Sequence, residues 1–422
     1  MRLAVVGGKL QGTEACYLGL KAGFETVLID RRAEPPAAGL AAESHACDVT
    51  VDEARARGVL ASCDAVLPAC EDDDALDWLA RVVPDLGVPL LFDPAAYRVT
   101  SSKAASNDLI HELGVPAPLA WPSCGLPAVI KPSGASGSAG VHVVADEHEL
   151  EEARTALERA GHEVVVEEFV AGPSLSIEVL SLDGCAVPCL VTGLEFDDDF
   201  DCKRVTAPVA SDPFYAGVAE EALMSLADSG ERLAAALRLS GIMDVEVMIA
   251  SREAPGGEAA RRRWAGREAG GREAKVIEID ARLPSQTPAA VLHAYDVNLL
   301  EMLVAAFLTD TVPEPNRRPL RGVVYEHVRA TEGALQVVGE HVMGSARPLG
   351  LVTGFFGADE AMTDFTEGRP EWQATLIVRG GDVAEARCRA HEVELRIAEK
   401  CGLRLLPEVN PHGVRPAAQS TG

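Results

Sequence analysis

Residues 275–288 read Lys-Val-Ile-Glu-Ile-Asp-Ala-Arg-Leu-Pro-Ser-Gln-Thr-Pro. The alternation of apolar and charged residues up to Asp280 marks a strand, and on a strand side chains two apart share a face. Glu278 and Asp280 therefore point the same way, and Arg282 falls on that face by parity. Upstream, GIMDVEVMIA (241–250) sets Asp244 and Glu246 two apart in the same manner. If the two strands are neighbours, three or four carboxylates converge on one face and repel one another unless cations sit between them. Mg²⁺, bound by a few carboxylates and by substrate phosphates, is the natural occupant. Arg282 is then placed to steady a developing oxyanion or a transferring phosphoryl group.

Other features of a phosphate site lie on the N-terminal side of these strands. Lys103 opens a helical stretch in TSSKAASNDLIHELG, and Lys131 ends a strand in AVIKPSGASGSAGV. Two cations near phosphates offset their charge without carrying out chemistry. The loop 133–140 between two strands is nearly free of bulky side chains, so its N–H groups can close over phosphates as a nest. The extended edge VEEFV, Glu167–Val170, offers the backbone donor and acceptor that an adenine ring requires. Each feature has a plainer reading: Lys131 in a structural ion pair, or the 244–246 strand facing water. Their order along the chain is more specific than any one of them.

The chain opens Leu-Ala-Val-Val-Gly-Gly-Lys-Leu-Gln-Gly, an apolar run into a glycine loop and a helix-compatible segment. This is how a Rossmann-type half begins, but the dinucleotide fingerprint needs glycine at its first, third and sixth positions. Those positions hold Gly7, Lys9 and Gly12. Asp30 closes the second strand, where such a fold places its ribose acid; an ordinary strand-end aspartate is the alternative.

The 422 residues suggest two or three domains, and a hydrophobic share of 47% secures a core. A formal charge of −27 makes the protein a poor candidate for nucleic acid or an anionic membrane surface. Ten cysteines without a C-x-x-C pair argue against a zinc cluster or a secreted disulfide framework, and for a reducing cytoplasm. No signal peptide precedes the first strand, and the apolar segment 298–309, interrupted by Glu301, reads as a buried helix.

Strands are expected at Leu3–Val6, Thr26–Ile29, Ala65–Pro68 and Pro89–Phe92, with helices over 12–22, 52–61 and 73–82 between them. A proline-rich connector (114–127) leads to a hairpin-built lobe, then a long helix over 214–239 and the two acidic strands. The stretch 252–274 carries six arginines against four glutamates in a glycine-rich setting and reads as a flexible hairpin tip. An amphipathic helix over 383–399 precedes a tail, 411–422, that reads as disordered.

The ordered set resembles the ATP-grasp superfamily. Within it, VGGKLQG, AVLPACE (65–71), LLFDPAAYRVTSSK, FDCKRVTAP (200–208), IDARLPSQTP, YEHV and LVTGFFG resemble the 3-methylornithine–L-lysine ligase family of pyrrolysine biosynthesis, over nearly the whole chain. Biotin-type and purine-type ATP-grasp enzymes carry other residues after the metal acid, while CEDDD (70–74) is more acidic than the family pattern. The resemblance implies an α/β ATP-grasp fold: a Rossmann-like preATP-grasp domain (1–95), a linker helix and small lobe (96–182), a large lobe (183–315) with the insertion 252–274, and a region 316–422 completing it, the two lobes clamping ATP.

By position, the resemblance implies ATP binding by Lys9, Asp30, Lys103, Lys131, Glu167, Glu168, Phe169 and Val170, and Mg²⁺ binding by Glu246, Glu278 and Asp280. It implies a catalytic Arg282, lysine contacts from Leu10, Gln11 and Glu71, and contacts to the activated acid from Asp201, Thr206, Ser285, Gln286 and Thr287. The expected reaction couples (3R)-3-methyl-D-ornithine, through an acyl phosphate, to the ε-amine of L-lysine. Partners are small amino acids and ATP, with the oligomeric state open, a dimer included. Another ATP-grasp amino-acid ligase or a purine-pathway carboxylate–amine ligase is the alternative enzyme. A nucleotide-binding regulatory module is the alternative outside enzymes.

Overall fold

The computed structural model describes residues 1–135, 137–250 and 273–408. The insertion 252–274, apart from its last two residues, and the tail 411–422 lie outside them.

The N-terminal domain is a parallel sheet in the order β3 (Glu43–Ala46), β2 (Glu25–Asp30), β1 (Arg2–Val6), β4 (Ala65–Pro68). Helices α1 (Leu10–Lys21), α2 (Glu53–Leu60) and α3 (Asp73–Val82) connect and flank these strands. Two edges differ from the sequence reading. Pro89–Phe92 contributes a single parallel bridge, Val66 to Leu90, rather than a strand. Bracketed by Pro89 and Pro94, this segment has little room for a ladder of N–H donors. The other edge is β3, which reads Glu-Ser-His-Ala and is only half buried. Its polar composition gives no apolar signal to detect.

Two short helices, α4 (Pro94–Thr100) and α5 (Lys103–Glu112), lead into the small lobe. Asp93 and Ser102 cap them through backbone N–H groups, as expected of such residues. The small lobe is an antiparallel sheet with β5 (Ala128–Pro132) between β6 (His142–Val144) and β7 (Val164–Glu168), backed by α6 (Glu147–Arg159).

All remaining strands form one sheet of eleven. Its main path begins β12 (Ala274–Asp280), β11 (Gly241–Ile249), β8 (Ser174–Leu182), β9 (Cys185–Phe196), β10 (Cys202–Ala207). It continues through β13 (Gly322–Thr331) and β17 (Trp372–Gly380) to β16 (Glu360–Thr363) and β15 (Gly350–Thr353), while β14 (Ala334–Val337) joins β13 to β18 (Arg404–Leu405). So β8, which the sequence division assigns to the small lobe, lies within the large sheet beside β11. The Gly172–Pro173 turn before it reads as a hairpin, yet the strands on its two sides diverge into different sheets. The C-terminal region does complete the large lobe, through β13 and β17.

Helix α7 (Glu220–Leu237) covers the β8–β11 side, shorter than the 214–239 expected, because Pro213–Tyr215 is a separate 3₁₀ turn. Helix α10 (Val383–Cys401) covers β13 and β17. Helices α8 (Thr287–Tyr295) and α9 (Leu299–Thr309) lie against α1, and the largest core cluster joins all three to β1, β10 and β13. The apolar 298–309 segment is therefore core. Among the described residues no single helix is long and apolar enough to cross a membrane. The cysteines form no disulfide.

Beneath α10 the guanidinium of Arg204, 7% exposed, is surrounded by carboxylates. It donates to Glu326 at 2.7 Å, Glu195 at 3.1 Å and, through two nitrogens, to Glu408 at 2.7 and 3.1 Å. Burial works to raise Glu408, but Arg204 and Lys203 hold its carboxyl down to about 2. Glu394, pushed up to about 9 by burial and by Glu326, keeps its proton and spares the site a further charge. Removing the central cation of such a cluster leaves buried charge undercompensated, which costs about 3–5 kcal/mol. Arg204→Met should lower stability by about that amount in urea unfolding; a change under about 1 kcal/mol would contradict the ion cluster's role.

Candidate active site

The acidic strands pair antiparallel in the register the parity argument needs. Asp244 lies opposite Asp280 and Glu246 opposite Glu278. Side chains directly opposite share a face, about 4.5–5.5 Å apart at Cβ. The next strand extends the row: β8 sets Glu178 opposite Asp244 and Ser176 opposite Glu246. Glu178 was not among the expected residues. Its signal is the Ser-x-Glu alternation inside SLSIEVLSL, the same period-two pattern as Asp244 and Glu246.

Crowded in this way, most of the acids are pushed towards their protonated forms. Burial, aided by Asp244, pushes Glu178 up to about 8. Burial likewise takes Asp244 to about 7 and Asp280 to about 6, and raises Glu246 well above the carboxylate range. Glu278 is the exception. Burial works to raise it, but Lys103 and Lys131 hold it below its ordinary value.

Lys103, the first residue of α5, reaches Glu278 at 2.7 Å and the Ala135 carbonyl at 2.6 Å. Its own N–H donates to the Ser133 carbonyl, and Ala104 N–H to the Ser133 hydroxyl, which pins the glycine loop to the start of α5. On β5, Lys131 donates to the Ile277 carbonyl at 3.2 Å and pairs with Glu167 at 2.6 Å. Glu167 also accepts from Asn107, and Glu168 pairs with Lys275 at 2.7 Å. Both acids of the expected hinge are thus engaged through their side chains, while Phe169 and Val170 follow beyond the end of β7. The glycine loop closes over the large lobe, Ser138 donating to the Phe200 carbonyl at 2.6 Å.

Below that contact is a cavity lined by Asp201, Asp244, Glu246, Glu278, Asp280 and Glu340, with Arg282 and Ser285–Thr287 along one wall. Arg282 donates to Asp280 at 2.5 Å and pairs with Glu71 at 2.8 Å, and Glu71 accepts from Gln11 at 3.0 Å. The N-terminal domain therefore reaches the acidic wall through Glu71 and Arg282. Leu10 packs on the apolar core beside these groups. Ser285 donates to Glu340 at 2.7 Å, and Asp201 pairs with His341 at 2.9 Å. Glu340 was not expected from the sequence, and GEH in isolation carries no distinguishing pattern.

Three expected residues fall elsewhere. Thr206 points away from the cavity, its hydroxyl donating to Asp212 at 2.7 Å beneath α10; the bulge between Cys202 and Arg204 sets the facing of this strand. Asp30 is engaged by Gly8 N–H at 2.7 Å and by Arg32, and Lys9 is exposed at the start of α1. Those two residues sit at the C-terminal ends of the inner strands β1 and β2.

Several groups on the cavity wall are buried without a hydrogen-bond partner: Asp280 Oδ1, Gln286 Oε1 and the Thr287 hydroxyl. Among the described residues no three His, Cys, Asp or Glu side chains are gathered into a complete metal site. Hard carboxylate oxygens, mutually repelling and partly unpartnered, nevertheless fit Mg²⁺, which takes only one or two carboxylates when phosphates supply the rest. Glu246, Glu278 and Asp280 are the residues that would hold it.

A carboxyl with a folded-state pKa above its unfolded value gives stability that is lost as pH rises through the folded value. Asp244, at about 7 against its ordinary value of 3.8, is such a group. Asp244→Asn, which cannot ionise, should gain thermal stability relative to the parent as pH rises from about 5 to 8. Calorimetry at each pH checks this, and a constant difference would contradict it.

A family model described as the D-ala D-ala ligase C-terminus matches residues 120–255. The 3-methyl-D-ornithine–L-lysine ligase of Methanosarcina acetivorans is 34% identical over 355 residues, 82% of this chain and 85% of that protein. The ligase of the same name from Methanosarcina mazei is 32% identical over 396 residues, covering 92% and 94%. Among solved structures, the ADP complex of N5-carboxyaminoimidazole ribonucleotide synthetase superposes with a TM-score of 0.66 at 15% identity, covering 93% of this chain and 96% of that one. The L-amino acid ligase of Bacillus licheniformis gives 0.63 at 16%, covering 94% and 97%. The fold is the ATP-grasp one.

Proposed function

The chain belongs to the 3-methyl-D-ornithine–L-lysine ligase family of ATP-grasp enzymes, and we propose that the acidic cavity is where it performs that family's reaction. It is an ATP-dependent ligase forming a carbon–nitrogen bond. The carboxylate of (3R)-3-methyl-D-ornithine attacks the γ-phosphate of ATP, giving an acyl phosphate and ADP. The ε-amine of L-lysine then attacks the acyl carbon, phosphate leaves, and the amide 3-methyl-D-ornithyl-Nε-L-lysine, a precursor of pyrrolysine, remains.

The observation that carries this reading is the cross-strand register of Asp244 with Asp280 and Glu246 with Glu278, set against Lys103 and Arg282. Transferring a phosphoryl group needs charge neutralisation and alignment more than covalent help. Lys103 and Lys131 flank the phosphates, and the 133–140 loop covers them. When bound at Glu246, Glu278 and Asp280, Mg²⁺ neutralises phosphate charge. Arg282 stands where a carboxylate substrate becomes an acyl phosphate and can hold its oxygens by charge-assisted bonds. The many remaining carboxylates suit a substrate pair rich in ammonium groups. Gln11 and Glu71 receive the incoming lysine, Glu71 by its charge. Ser285, Gln286 and Thr287 orient the acid being activated.

The test is release of ADP as a function of the amino acids supplied, with the product's mass measured. Turnover that needs both L-lysine and the ornithine-type acid supports the reading. Turnover with an aminoimidazole ribonucleotide, or with other amino acids only, would replace it.

Glu278→Ala removes a phosphate-side carboxylate and frees Lys103, so kcat should fall at least about a hundredfold while the circular dichroism spectrum stays that of the parent. A kcat within about twofold of the parent would remove Glu278 from the metal set. Gln11→Ala should raise the KM for lysine about tenfold, the worth of one lost charge-assisted hydrogen bond, with KM for ATP unchanged. Glu71→Ala should lower kcat as well, because Glu71 also holds Arg282. Separate titrations of lysine and ATP in both variants distinguish these outcomes.

A further inference from the structure

Helix α1 bears a polar row on its buried side: Gln11, Glu14, Tyr17 and Lys21, spaced three or four apart so that they lie along one stripe. Between them they reach three other parts of the chain. Gln11 holds Glu71, and through it Arg282. Tyr17 donates to Glu360 at 2.8 Å and meets Nε2 of His293 at 2.5 Å, while Lys21 pairs with Glu360. Burial pushes His293 down to about 4, so the ring is neutral and donates from Nε2 to the tyrosine oxygen. One turn further on, the Leu18 carbonyl accepts from Asn298 at 2.8 Å.

Glu14 differs from the others. It is 1% exposed, and its Oε1 accepts the backbone N–H of Ala289 at 2.6 Å. Burial pushes its carboxyl up to about 8 against the pull of the Ala289 and Gln286 N–H groups, and Oε2 has no partner. A carboxyl buried between helices is costly unless it is needed for the bonds it accepts. The need is visible in α8. The first turn of a helix leaves its N–H groups without intrahelical partners, and Gln286, which precedes α8 at φ +71°, supplies no side-chain cap. The cap comes from α1 instead. The turn it secures, Ser285–Thr287, carries the buried unpartnered Gln286 Oε1 and Thr287 hydroxyl on the cavity wall.

We infer that Glu14 is a positioning residue that fixes the 286–289 turn and thereby couples the two amino-acid sites, the loop at Gln11 and the wall at Ser285–Thr287. The inference rests on the ligase reading for what those sites bind. Gln11 and Glu14 are less than one helical turn apart, so a shift at the opening loop is carried rigidly to the cap. Coupling of this kind is reciprocal: lysine tightens binding of the ornithine-type acid by the factor with which that acid tightens lysine.

The experiment uses the full chain with Glu14→Ala and Glu14→Gln. KM values for L-lysine, the ornithine-type acid and ATP are measured separately by ADP release, alongside hydrogen exchange of the peptide 285–292. Glu14→Ala should raise both amino-acid KM values about tenfold and leave KM for ATP within about twofold. Exchange at 286–289 should quicken about tenfold. Glu14→Gln, whose Oε1 still accepts the Ala289 N–H, should recover most of both effects. Three KM values rising together, unchanged exchange at 286–289, or Glu14→Gln as damaging as Glu14→Ala would overturn the role. Absence of any ADP release by the unmodified protein with the two amino acids would overturn the ligase reading instead, while the exchange comparison still decides on Glu14.

Discussion

Like charges forced onto one sheet face govern this molecule. Glu178, Asp244, Glu246, Glu278 and Asp280 occupy adjacent positions on three neighbouring strands, a grouping that cannot be fully ionised in a partly buried site. The protein relieves it in two ways. Some of the acids hold their protons near neutral pH, and cations are brought in from other elements: Lys103 from the start of α5 and Arg282 from the loop after β12. Much of the surrounding architecture delivers those cations to that face. A magnesium nucleotide bound as proposed would complete the neutralisation.

The same logic recurs beneath α10 with the roles divided differently. There Arg204 and Arg387 meet Glu195, Glu326, Glu408 and Asp212, so that each of these carboxylates faces a guanidinium of the protein itself. One acidic cluster is closed and structural, the other open to a cavity. Counting acids and bases does not distinguish them. What does is access: Asp244, Glu246, Glu278 and Asp280 line a cavity, whereas Arg204, Glu195 and Glu326 line none of it.

Helix α1 makes the N-terminal domain part of the active site rather than an appendage. Its start meets Glu71 and through it Arg282, its middle caps α8, and its end holds Glu360 on β16. The apolar residues of the same helix enter the largest core cluster with α8 and α9. Packing fixes the distance between domains, and the polar row fixes the register within that packing.

The sequence by itself determined a good deal. Period-two alternation told that Glu278 and Asp280, and likewise Asp244 and Glu246, share a face, because strand geometry sets that without reference to neighbours. Glycine, serine and lysine in the 131–140 stretch marked a loop free to close over a ligand, since local backbone freedom is a property of the residues themselves. Only the tertiary structure decided which strands are neighbours. It placed β8, and with it Glu178, beside β11, set Thr206 on the far side of β10, and kept Asp30 with Gly8 and Arg32. It also brought Glu14 and Glu71 to partners more than two hundred residues away. Those pairings depend on how sheets and helices of separate segments pack. Side-chain partners across such distances leave no periodic trace in a single chain, whereas the facing of a strand is written into every second residue.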